Sequence, residues 1–376
     1  MKIIYCIAGL RHSGGMERVL TNKANYLVEQ GVQVLIVTTD QCGENNFFAL
    51  SPKIRTVDLA INYEENNGKS IWNKIVRYPS KQYFHRKKLT RLLKEEKADI
   101  VISMFCNDVS FLWKIKDGSK KVVEIHFSRF KRLQYGRKGV WAFADRLRNK
   151  LDLNTVRHYD RFVVLTQEDK GYWGKLSNIL VIPNARSFEP QRIAHLQNKR
   201  AIAVGRYDYQ KGFDGLIAAW SIVNQAHPDW ELCIYGDGPL RDALQEQINL
   251  NGLEEVVHLM AAVKNIQEEY LGSSFIAMSS RYEGLPMALL EAQSSGLPLV
   301  AFACKCGPRD IISDGENGFL VPEGQIEQLA ARIEELIENE ELRKTMGQAA
   351  RRASARFSED VVMEQWLDLF NELAKK

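Results

Sequence analysis

Short apolar runs rich in β-branched residues alternate along this chain with longer stretches whose apolar residues recur at helical spacing. In the first half the runs fall at 2–8, 32–39, 98–104, 121–126, 161–166 and 178–184. In the second half they fall at 200–206, 230–236, 255–260, 274–280, 298–304 and 318–321. Continuous apolar strands bounded by turn residues, with helices between them, belong to parallel sheets covered on both faces. The pattern therefore predicts an α/β fold of two doubly wound, Rossmann-like parallel-sheet domains. Pro183, Asn184 and Pro190 interrupt the periodicity and place a linker near 183–199. In open sheets of this kind, ligands bind beyond the carboxyl ends of the strands. The chemistry should therefore lie in the residues just after each strand.

Composition narrows this little: 376 residues, 45% hydrophobic and 26% charged, are ordinary for a globular protein of about two domains. No apolar run reaches the roughly 18 residues of a membrane span. Arg11 and His12 end the opening apolar stretch too early for a signal-peptide core. The six cysteines show no CxxC pair and no zinc spacing, so they read as buried or half-buried thiols in a reducing cytoplasm. Charge is more telling. Residues 1–190 hold 33 Lys+Arg against 19 Asp+Glu, whereas 191–376 hold 18 against 28. A basic half joined to an acidic one implies different partners, the basic half facing something anionic.

Three strand ends carry candidate chemistry. After the first strand, Gly14 and Gly15 let a ligand approach the backbone at a helix start, with Ser13 as the expected N-cap. After the first strand of the second half, VGRYDYQKGFDGL sets Arg206 and Lys211 in a loop that opens a helix near Gly212. A guanidinium grips phosphate oxygens in pairs, and an ammonium adds a mobile point charge. The third is SSRYEGLPMALLEAQSSGLPLV at 279–300. Glu283 precedes a helix opened near Pro286, and Glu291 stands eight residues on, inside the apolar stretch MALLEA. Such a helix would separate the carboxylates by about 12 Å, too far to share a proton. The backbone N–H groups of Gly284, Leu285, Pro286 and Met287, proline excepted, would be helix-start donors for hydroxyl or phosphate oxygens.

EGLPMALLE resembles the E-x7-E motif of the family 4 retaining glycosyltransferases, which have the two-domain GT-B fold. The likeness runs in order through the Gly-Gly loop, VGRYDYQKGFD, YGDGPLRDAL, the 279–300 segment and GPRDIISDGENGFLV. It implies two domains facing across a cleft: an acceptor-binding domain at 1–185, a nucleotide-sugar-binding domain at 186–357, and a helix at 358–376 that crosses back to the first. By position it implies that Arg206 and Lys211 bind the donor's diphosphate and stabilise the leaving group. Glu291 would hold the ribose hydroxyls, and Glu283 with the amides of 284–287 would lie beside the transferred sugar. Gly14 and Gly15 would close over the diphosphate, and His126 would stand near the reacting carbon. No metal and no cofactor beyond the donor, read as a UDP-sugar, is implied. Asp237 in YGDGP reads as a turn residue rather than part of a metal motif. The transferred sugar would retain its anomeric configuration through same-face attack assisted by the leaving phosphate. Two departures stand out: Ala261 and Ala262 come after the strand where the family usually has glycine near the base, and Cys306-Gly307 replaces a common Gly-Gly.

The resemblance also implies a glycan or polyprenyl-pyrophosphate-linked acceptor in the assembly of bacterial surface polysaccharide, met by the first domain. The basic stretches at 81–94 and 120–138 interleave cations with aromatics, a pattern suited to nucleic acid or to anionic lipid headgroups. The second partner agrees with the resemblance, which places the protein in the cytoplasm, peripheral to the inner face of the membrane, with no nucleic-acid partner. Lys87, Lys88 and Arg91 are its first candidates, with Arg129, Lys131 and Arg132 next. The last helix has Val361, Val362, Trp366, Leu369 and Phe370 in its apolar set. Two other readings use the same residues: a sugar-nucleotide epimerase, and a non-catalytic nucleotide-sugar- or carbohydrate-binding protein.

Overall fold

The computed structural model describes residues 1–66, 71–131, 139–263 and 265–375. Residues 132–138, Arg132 among them, lie outside the described residues. The chain divides into two compact units. Unit 1 comprises Met1–Leu165, Lys170–Ile182 and Met363–Lys376; unit 2 comprises Thr166–Asp169 and Pro183–Val362.

Unit 1 is built on seven parallel strands: β1 (Lys2–Cys6), β2 (Gln33–Thr38), β3 (Arg55–Asp58), β4 (Ile100–Ser103), β5 (Lys120–Glu124), β6 (Arg161–Val164) and β7 (Ile179–Val181). Their order in the sheet is β3-β2-β1-β4-β5-β6-β7. β1 is the pivot, pairing Lys2 with Gln33 on one side and Ile3 with Ile100 on the other. Every other strand of the two sheets coincides with one of the apolar runs, but β3 does not. Its residues Arg55, Thr56, Val57 and Asp58 are mostly exposed at the sheet edge, where no apolar run is required.

Unit 2 has six parallel strands: β8 (Arg200–Val204), β9 (Glu231–Tyr235), β10 (Val257–Met260), β11 (Phe275–Met278), β12 (Leu299–Phe302) and β13 (Gly318–Val321). They are ordered β10-β9-β8-β11-β12-β13, so the order reverses beside β8 as it does beside β1. Both sheets therefore have a topological switch point at their first strand, where a ligand-binding crevice opens in such folds. Strand residues fill one core with Ala201, Ala203, Leu232, Ile234 and Phe275 against Trp220 and Ile333 from helices. Residues 183–199 carry no regular element and are pinned within unit 2: the Arg186 amide donates to the Phe357 carbonyl at 2.8 Å.

The helix Glu359–Ala374 spends most of its length in unit 1. Val362, Met363, Trp366, Leu369, Phe370 and Leu373 are buried, while Val361 is exposed, so the apolar face loses Val361 from the set read in the sequence and adds Met363 and Leu373. None of the described helices is long and apolar enough to cross a membrane.

Candidate active site

The loop after β8 carries the cations. Gly212 takes a left-handed φ of 60° and caps the helix Phe213–Ala226, and a Cβ there would stand 2.4 Å from the Ser279 carbonyl oxygen. Glycine therefore lets this loop lie directly on the strand end of β11, holding Lys211 over residues 279–283. Lys211 Nζ pairs with Glu283 Oε1 at 2.7 Å, and Glu283 is buried. Burial works against the Lys211 ammonium, but Glu283, then Asp208, outweigh it and hold its pKa above the ordinary lysine value. Arg206 extends outward with 72% of its side chain exposed, its Nε 3.6 Å from Asp208 Oδ2.

Contacts that no spacing in the sequence announced brace this pair. Gln210 Nε2 donates to the Tyr282 carbonyl at 3.1 Å and to Glu283 Oε2 at 3.4 Å. Arg281 donates to the Tyr209 carbonyl at 2.8 Å and pairs with Asp214 at 2.6 Å. The Glu283 amide donates to the Lys305 carbonyl at 3.1 Å, tying the segment to the loop after β12. The signal for Arg281 lay in its position, directly after a strand end, but its partners lie some 70 residues away in the chain.

Helix Met287–Ser294 begins after Pro286 as its N-cap, with no side-chain cap. Its first N–H groups have no intrahelical acceptor, a ready anion site. Glu283 stands before the helix and Glu291 within it. Both are buried, which removes the picture of two solvated surface acids. Tyr270 donates its hydroxyl to Glu291 Oε2 at 3.0 Å, so this carboxylate has its own partner, separate from the Lys211–Glu283 pair. Across from the helix start, Cys306 takes a left-handed φ of 65° and Gly307 one of 93°. A Cβ on Gly307 would meet Pro286 Cδ at 2.4 Å. The Cys306 amide donates to Glu168 at 3.1 Å. Asp237 behaves as a turn residue: its Oδ1 accepts from the Gly238 amide at 2.8 Å and its carbonyl from the Tyr207 amide at 2.8 Å.

In unit 1, Gly14 rather than Ser13 is the N-cap of helix Gly15–Glu29, with φ −70° and no side-chain cap bond. The backbone leaves the extended region one residue later than a Ser13 cap requires, so no hydroxyl occupies the helix start. Glu17 folds back against Gly14, and burial raises its carboxyl above the ordinary range.

His126 stands just after β5. Its side chain is nearly buried, and among the described residues neither ring nitrogen has a hydrogen-bond partner. Nε2 lies 3.8 Å from Glu124 Oε2, the oxygen that Lys23 Nζ approaches to 2.6 Å. Lys23 and Glu124 are both buried, and Lys23 Nζ sits 3.6 Å from the centre of the Trp366 ring. Burial alone would raise the Glu124 carboxyl, but Lys23 and His126 together hold it down at about 2. Lys23 and Glu124 come from elements 101 residues apart, and their pairing had no sequence signature. Gly14, Gly15 and His126 thus belong to unit 1, and Arg206, Lys211, Glu283 and Glu291 to unit 2.

Residues 186–353 match the family of glycosyl transferases group 1, and residues 13–187 match Glycosyltransferase Family 4. An uncharacterized glycosyltransferase of Haemophilus influenzae is 30% identical over 378 residues, covering 97% of this chain and 98% of its own. The amylovoran biosynthesis glycosyltransferase AmsD of Erwinia amylovora is 40% identical over 223 residues, 56% of this chain and 62% of its own. Among solved structures, S. aureus TarM in complex with fondaparinux, alpha-GlcNAc-glycerol and UDP has a TM-score of 0.80 at 17% identity, covering 98% of this chain and 99% of that one. The fold is GT-B, two Rossmann-like units with parallel sheets of seven and six strands. The chain belongs to the group 1 glycosyltransferases.

Proposed function

We propose that this glycosyltransferase moves a sugar from a UDP-sugar to a glycan or polyprenyl-pyrophosphate-linked acceptor during assembly of bacterial surface polysaccharide, with retention and without a metal. The observation that carries it is the half-buried Lys211 paired to the buried Glu283 beside an uncapped helix start, with the Arg206 guanidinium extended from the same loop. Lys211 and Arg206 bind the diphosphate and stabilise the charge it gains as the glycosidic bond breaks. Glu283 and the amides of Gly284, Leu285 and Met287 hold the transferred sugar, and Glu291 holds the ribose. Gly14, Gly15 and His126 keep the roles that the resemblance assigns them. The UDP named with TarM and the amylovoran pathway named for AmsD support the donor and the pathway. Work at the inner face of the cytoplasmic membrane, with peripheral contact through the basic stretch at 81–94, completes the reading.

The test is transfer by the Lys211→Ala, Arg206→Ala double variant, with folding checked by circular dichroism. Losing charge-assisted contacts to a developing phosphate charge is worth about 2–4 kcal/mol each by analogy with oxyanion donors. Turnover should therefore fall by orders of magnitude; wild-type kinetics would remove the proposed site. Release of UDP in chelator, dependent on an added acceptor extract, separates this reading from a metal-dependent transferase and from an epimerase, which needs no acceptor.

A further inference from the structure

Two helices of unit 1 present an unusual outward surface. In helix Val140–Val156, Phe143, Leu147 and Leu151 stand four residues apart and are 69%, 51% and 56% exposed. At about 100° per residue they form one stripe. Exposed Arg146 and Lys150 run along one side of it and exposed Arg148 along the other. The acids of the same segment point elsewhere: Asp145 is buried and Asp152 partly so. The second helix, Ile71–Glu96, shows Tyr83 at 62% and Phe84 at 52% exposure among exposed Arg86, Lys87, Arg91 and Lys94, with Glu95 paired to Arg91 at 3.0 Å.

The two surfaces lie on one side of unit 1. Helix Ile71–Glu96 connects β3 to β4, and helix Val140–Val156 connects β5 to β6. Both crossovers run in the same direction across the sheet. Right-handed connections then place both helices on the same sheet face. Packing agrees: Leu89 and Leu93 of the first helix and Val156 of the second are buried in a single core with Ile4, Val101, Val123 and Phe162.

We infer that this two-helix face is a docking surface for an anionic phospholipid bilayer, with Phe143, Leu147 and Leu151 entering the headgroup boundary. An apolar stripe between cations is the pattern of a helix lying in a membrane interface. Charge complementarity selects that occupant, because a second copy meeting this face symmetrically would set its cations against Arg146, Arg148 and Lys150. The inference rests on the proposed work at the membrane and adds the apolar stripe of helix Val140–Val156 to the basic stretch at 81–94.

The test is flotation of the full chain with phosphatidylglycerol-containing vesicles and with phosphatidylcholine vesicles. The wild type should float only with the anionic ones and should be released by high salt. The combined Phe143→Ser, Leu147→Ser, Leu151→Ser variant should lose at least roughly fivefold in partitioning. The Arg146→Gln, Arg148→Gln, Lys150→Gln variant, which touches only exposed cations, should lose roughly fivefold per charge, from about 1 kcal/mol each. Equal flotation on neutral vesicles, or variants that bind as the wild type does, overturns the assignment. A lipid-free dimer that the serine variant makes monomeric overturns it too, as does retention of RNA in place of lipid. A UDP-sugar thermal shift on the same samples reports the donor site alone. It should be unchanged in both variants, so failure of the membrane surface and failure of the proposed chemistry give different results.

Discussion

His85 and Asp108, two buried groups of unit 1 outside the proposed chemistry, respond to pH in opposite senses. Burial lowers His85 to about 4, with Tyr63 hydroxyl 3.1 Å from its Nδ1. Burial raises Asp108 to about 7, and its Oδ2 has no hydrogen-bond partner among the described residues. For His85 the unfolded chain takes up the proton first, so its contribution to stability is lost as pH falls from about 6.5 to 4. For Asp108 the folded chain keeps the proton longer, so its contribution is lost as pH rises from about 3.8 to 7. Each amounts to about 3–4 kcal/mol at one pH unit per 1.36 kcal/mol, and in the wild type they largely offset. Melting temperature measured from pH 4 to 7 should separate them. In His85→Phe it should climb toward acid, and in Asp108→Asn it should fall toward acid; parallel curves would contradict both assignments. The Lys23–Glu124 pair adds a third expectation. Glu124→Gln leaves a buried ammonium without its counter-charge, beside the Trp366 and Tyr5 rings, and should cost about 3–5 kcal/mol in urea unfolding. Lys23→Met combined with Glu124→Leu should recover much of that stability, because neither charge is then left alone.

At the scale of elements, the Cys306–Gly307 turn decides how the start of helix Met287–Ser294 is held. Gly307 needs its left-handed φ and has Pro286 Cδ where a side chain would begin. Gly307→Ala should displace the 284–286 segment and lower donor turnover at least tenfold. Cys306→Gly relieves a left-handed non-glycine residue, an effect of about 1 kcal/mol, and should leave turnover near wild type. Activity assays with paired thermal melts check both, and a silent Gly307→Ala would show that the turn does not govern the helix start. Elements of this kind were legible in the sequence to different degrees. Strands such as Ile100–Ser103 were plain because both faces are covered, so every position is buried and the first three are Ile or Val. Arg55–Asp58 was hidden because an edge strand in water needs no such run. The residues at 283–291 stood out because glycine, proline and two acids gather at one strand end. The partners Tyr270, Gln210 and Lys23 did not, since only the folded chain brings them to Glu291, Glu283 and Glu124.

For the whole molecule, the discontinuity of unit 1 matters most. Residues 363–376 return to it after all of unit 2 has been traversed, laying Trp366 against Lys23 and pairing Glu372 with Arg161 at 2.5 Å. Removing residues 363–376 should therefore destabilise unit 1 selectively. Hydrogen exchange should speed up in Lys2–Cys6, Gly15–Glu29 and Lys120–Glu124 well before it does in Arg200–Val204; uniform loss of protection in both sheets would contradict this. The same discontinuity sets an order during synthesis. A ribosome moving along the message completes the 183–362 sheet while the earlier half still waits for its closing helix, so the basic half emerges first yet matures last. Until then, the ammonium of Lys23 and the apolar bed of Trp366 are open to water and to chaperones. A premature stop within the final turns would thus act through the segment translated first.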